Sequence, residues 1–176
     1  MKLRIVYLTL LSTILIIAAA PAMARNSSLT MDRFIQNAAT HAQWYISISQ
    51  SEIQYFDNPD IRQLAQKILE QNRKISDELA SIVASPSVGV EALGNYVDAG
   101  NLNMMLDAAS KISPQDFEHR YVEMVQAQLL EDSNMYKQYA QTGTNASLKS
   151  VAAQNAPLFS KDYSEAYQFK TGHAPP

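Results

Sequence analysis

Not one cysteine occurs in the 176 residues of this chain. No disulfide can staple the fold, no thiolate can serve as a nucleophile, and no lipid can be attached through a cysteine anchor. Glycine is scarce as well, at five residues. There is no Gly-x-Gly-x-x-Gly run, no phosphate-binding loop and no serine in a glycine-flanked elbow. Histidine is limited to His41, His119 and His173, and no Glu-x-x-His motif is present. A carboxylate-bridged two-metal site in a helical bundle needs that motif twice, with a further Glu from each of two other helices. These absences point away from an enzyme.

What is present begins at the N-terminus. Lys2 and Arg4 precede an apolar run from Ile5 to Ala20, and Ala22-Met23-Ala24 follows as a small-x-small cleavage pattern. The run is shorter than the roughly 20 apolar residues of a membrane span and is closed by Pro21. Residues 1–24 therefore read as a cleaved secretory signal peptide, which predicts a periplasmic protein with no stable membrane insertion after cleavage. Losing Lys2 and Arg4 leaves 12 basic against 17 acidic residues, a formal charge of −5. A nucleic-acid partner, which calls for a basic patch, is not expected. The remaining 152 residues fit one domain, a helical bundle over residues 25–170, with residues 171–176 as a flexible tail.

Periodicity over that domain is helical throughout, which predicts an all-α fold. From Met31 to Phe56 two adjacent stripes make one broad buried face, led by Phe34, Ala38, His41, Tyr45 and Ile48, with Thr30 as the N-cap. Asn58 as a cap and Pro59 at the first helical position start a second helix, which runs to about Ala84. Pro86, Gly89, Gly94 and Gly100 then exclude a long helix until Ile112, although a short one fits Leu102 to Ala109. Ser113-Pro114-Gln115-Asp116 opens a third long helix that reaches about Gln141. Gly143 ends it, and Asn145 caps a fourth that reaches about Phe169. Two tight connections and one of about 28 residues imply a four-helix bundle of ferritin-like topology, with one long crossover between helices two and three.

The informative positions are polar residues on the buried stripes. Asn72 interrupts Ile61, Ala65, Ile68, Ile75 and Leu79, while Asn155 and Asp162 interrupt Leu148, Ala152, Phe159 and Ala166. With His41, Glu52, Gln128 and Asp132 they form a candidate interior polar layer. Tyr45, Asn72, Gln128 and Phe159 are expected at its centre, with Asp132 and Asn155 one turn away. Buried amides must be paired, so Asn72 and Gln128 are expected to satisfy one another and fix helix register. His41 reads as a hydrogen-bonded interior histidine rather than a ligand. It lies roughly 16 Å along the helix from Glu52, too far to share one ion. The competing reading is a single metal ion or small polar ligand at Asp132, Asp162 and Glu52. No cofactor and no confident metal ligand emerge.

Three segments carry a family resemblance: NPDIRQLAQKILEQN, SPQDFEHRYVEMVQ and LKSVAAQNAPLFSKDYSEA. Together they resemble the exported ferritin-like bacterial family catalogued as domain of unknown function 4142, often labelled predicted outer membrane protein, from about Phe34 to Phe169. That family typically carries Asp-His in the second helix, a His in the third, and a His after the Pro of the fourth. The corresponding positions here are Gln71 and Asn72, about Gln128, and about Asp162, all polar and none an imidazole. The resemblance implies the fold and export, and no molecular function. The expectation is thus an exported, non-catalytic bundle of the cell envelope with a binding or structural role, its partner another envelope protein or a small ligand.

Overall fold

The computed structural model describes residues 29–53, 57–86, 88 and 92–172, with the backbone alone at Ser51, Glu52, Pro114 and Gln115. All regular elements among the described residues are helical. They are α1 (Met31–Glu52), α2 (Pro59–Val83), a 3-10 turn (Leu93–Tyr96), α3 (Ala99–Ser110), α4 (Pro114–Thr142) and α5 (Ala146–Thr171). None of these helices is long and apolar enough to cross a membrane.

Local chemistry sets most of the boundaries. Thr30, Asn58, Asp98, Ser113 and Asn145 are N-caps in extended conformation, and each side chain accepts a hydrogen bond from an amide of the first turn. Asn58 and Ser113 also precede prolines, which holds them out of the helical region. α1 stops at Glu52, short of the expected Phe56, with Ile53 as its cap; residues 54–56 lie outside the described residues. α2 ends at Val83 with Ala84 as its cap. α5 continues through Pro157 to Thr171, where Gly172 at φ 72° closes it in the left-handed conformation. Pro157 has no amide hydrogen to return to Ala153, yet Ala156 and Phe159 on either side are buried and hold the helix in place.

Packing follows the buried stripes. α4 and α5, joined by three residues, share the most extensive interface, and α1 packs on α2, α3 and α4. The α1/α4 contacts set the direction of the pair. Phe34 stacks on Tyr139 with ring centroids 4.0 Å apart, and Ser49 reaches Tyr121 at 2.9 Å, so the numbering falls along α4 as it rises along α1. These two helices are antiparallel. At one end of the molecule the amide of Asn58 donates to Glu118 at 2.9 Å, which brings the starts of α2 and α4 together. Between α2 and α4, the 3-10 turn and α3 lie against α1. Thr40, buried in α1, accepts the amide of Asp98 at 2.9 Å and so anchors the start of α3. The interior is rich in aromatics, with Phe34, Tyr45, Tyr121, Tyr136, Tyr139 and Phe159 all essentially inaccessible.

Candidate functional site

α1 and α4 together bury a linked group of polar side chains. His41 and Tyr45 are one turn apart on α1, and Gln128 and Asp132 are one turn apart on α4, so the antiparallel pair brings all four together. Asp132 is 1% exposed, and both of its oxygens are occupied. Oδ1 lies 2.6 Å from His41 Nδ1, and Oδ2 accepts the Tyr45 hydroxyl at 3.0 Å. At that distance from a carboxylate, His41 Nδ1 is the proton carrier and donates. Gln128 Nε2, though only 3.1 Å from the same nitrogen, cannot donate to it in that state. Its hydrogens are directed instead to Glu131 Oε2 at 3.3 Å and Asp132 Oδ1 at 3.5 Å.

The electrostatics follow from burial and partners. Burial alone would lower the pKa of His41, but the hydrogen bond and charge of Asp132, with Glu131 behind it, outweigh that and raise it. The Tyr45 phenol is pushed well above its usual range, by burial first and then by the Asp132 charge, and it therefore remains a donor.

A second buried carboxylate lies between α2 and α5. Asp162, 2% exposed, accepts Lys67 Nζ on Oδ1 at 2.9 Å, and Lys67 also pairs with Glu165. The pair is asymmetric. Asp162 sits deep, so burial raises its pKa despite the Lys67 charge; burial alone would lower the pKa of Lys67, which is about one-third exposed, but Glu165 and Asp162 together outweigh it and raise it.

The expected polar layer is therefore divided. His41, Gln128 and Asp132 come together with Tyr45, and the Tyr45 ring lies 6.4 Å from Phe159, as a central layer requires. Asn72 and Gln128 do not pair, contrary to expectation. Asn72 donates to the carbonyl of Ile68 and Asn155 to that of Val151, each at 2.9 Å and each one turn back in its own helix. The side chain of Asn is short enough to be satisfied locally, so it needs no cross-bundle partner. Gln128, partly exposed, is drawn to the α1/α4 seam by charge. Asp132 and Asp162 serve separate helix pairs, and among the described residues no three His, Asp or Glu side chains are grouped to hold a metal. The side chain of Glu52 lies outside the described residues. His119 is exposed on α4, 3.6 Å from Glu123, and His173 is outside the described residues.

Sequence reading missed Lys67 and Thr40. Lys67 borders the buried stripe, and its apolar stem lets the ammonium reach a carboxylate inside the bundle. The detectable signal was an inward Asp162 with no cation on its own stripe.

These features define a helical bundle whose polar interior is distributed between two seams. Over residues 17–169 the chain matches the family described as Domain of unknown function (DUF4142), and it belongs to that family. No curated protein and no solved structure matches it.

Proposed function

We propose that this protein is an exported, non-catalytic bundle of ferritin-like topology that acts in the bacterial cell envelope as a structural or binding component. The topology is supported by the antiparallel α1/α4 contacts and by the bond from Asn58 to Glu118, which together fit α2 and α4 running in one sense. Helices that run in one sense need a long return, and residues 84–113 with α3 supply it.

The observation that carries the role is the closure of the His41–Asp132–Tyr45 group. Both oxygens of Asp132 are used inside the protein, and His41 Nδ1 is committed to one of them. Such an arrangement joins α1 to α4 and engages each oxygen of Asp132 with a partner inside the bundle. Export is supported by the N-terminal charge, apolar run and Ala22-Met23-Ala24 pattern.

Expression of the whole chain in a bacterium, fractionation and N-terminal sequencing test this reading. Mature protein beginning at Arg25 in the soluble periplasmic fraction is the expected result. Protein retaining Met1 in the membrane fraction would contradict it.

A further inference from the structure

Nε1 of Trp44, Nε2 of Gln71 and Oδ2 of Asp162 are among the buried polar atoms that have no hydrogen-bond partner in the described residues. They come from three different helices, α1, α2 and α5. Buried polar groups of native proteins are almost always paired, with protein or with ordered water, so each such group calls for a partner.

Neighbouring contacts set the three side chains at similar levels of the bundle. Lys67 Nζ lies 2.9 Å from Asp162 Oδ1, and Gln71 follows Lys67 by one turn on the same face of α2. On the other side, the Trp44 ring is 5.0 Å from that of Tyr45, which is 6.4 Å from Phe159. Phe159 precedes Asp162 by less than one turn. Gln71 and Phe159 thus lie within about one helical turn, ~5 Å, of the Lys67–Asp162 pair along their own helices.

The chemistry of the set selects its occupant. Two N–H donors and one carboxylate oxygen match a guest that accepts twice and donates at least once. A metal ion is disfavoured by the two N–H groups, and an anion by the Asp162 carboxylate. Water meets all three requirements, with the two to four polar partners an internal water needs. We propose that one internal water molecule bridges Trp44 Nε1, Gln71 Nε2 and Asp162 Oδ2. It links α1, α2 and α5, and with Lys67 it gives both oxygens of Asp162 a partner.

Trp44 is the single tryptophan of the chain, so its indole N–H resonance identifies itself. In the mature protein that proton should show a nuclear Overhauser effect to a long-lived water. A crystal structure that resolves ordered solvent should place one water within about 3.2 Å of all three atoms. The Gln71→Leu variant, which keeps Trp44 and Asp162, should shift the indole resonance and shorten the residence of that water. The proposal is overturned if the indole proton shows no water contact, if the three atoms pair directly with protein groups, or if a metal ion fills the site.

Discussion

Asp132 is the side chain on which the polar interior of the α1/α4 seam depends. His41 and Tyr45 both donate to it, and it is almost wholly removed from water. Replacing His41 with Leu would leave that carboxylate with too few partners, and the loss should be about 3–5 kcal/mol in chemical denaturation, as for other broken buried pairs. A loss under about 1 kcal/mol would mean that the pair contributes little. The pH dependence has a definite sign. His41 binds its proton more tightly in the folded chain, so its contribution is complete below the ordinary histidine value near 6.5 and disappears as pH rises through the raised folded value. The His41→Leu variant should lack this component of the fall in stability at rising pH. Asn72 and Gln128 behave differently, since they touch different partners. In a double-mutant cycle with Asn72→Leu and Gln128→Leu their effects should add within about 0.5 kcal/mol, whereas a coupling above 1 kcal/mol would restore the direct pairing that stripe geometry suggests. The inward direction of these residues was legible in the sequence, because helical period fixes which face a residue occupies. Their partners were not, because a short amide can turn back to its own helix and a long lysine can reach in from the rim.

At the scale of elements, the caps were the most readable feature. Thr30, Asn58, Ser113 and Asn145 each announce a helix by side-chain chemistry alone, and each performs that role. Asp98 does the same for α3, yet the apolar pattern placed that helix at Leu102 to Ala109 rather than Ala99–Ser110, because its first turn carries Gly100 and no buried side chain. Gly143 shows a right position with a different cause. A glycine at a helix end ordinarily supplies positive φ, but here φ is −60°. What the turn needs is space: a Cβ on Gly143 would lie 2.6 Å from both the carbonyl oxygen and a ring carbon of Tyr139. Gly143→Ala should therefore destabilise the protein by about 1–3 kcal/mol through the strained α4–α5 connection. Asn145→Ala, which removes only the cap bond to Leu148, should cost about 1 kcal/mol. Thermal or urea denaturation of the two variants orders them, and an indifferent Gly143→Ala would show that Tyr139 can move aside.

For the whole molecule, an all-helical fold was recoverable from sequence because binary pattern and caps agree along most of its length. The division of the interior was not, since it depends on which stripe faces which helix once α1 has contacted α2, α3 and α4 at the same time. Its consequence is a bundle held partly by two polar links to buried carboxylates, His41 to Asp132 between α1 and α4 and Lys67 to Asp162 between α2 and α5. The central claim is that the first link is structural, with its imidazole committed to the protein. Nitrogen NMR of His41 across pH, with and without added zinc, tests this most directly. The account predicts a pKa above the ordinary histidine value, a proton held on Nδ1 throughout the titration, and a curve unchanged by the metal. A His41 resonance that loses its proton at or below the ordinary value, or that shifts stoichiometrically with zinc, would contradict it.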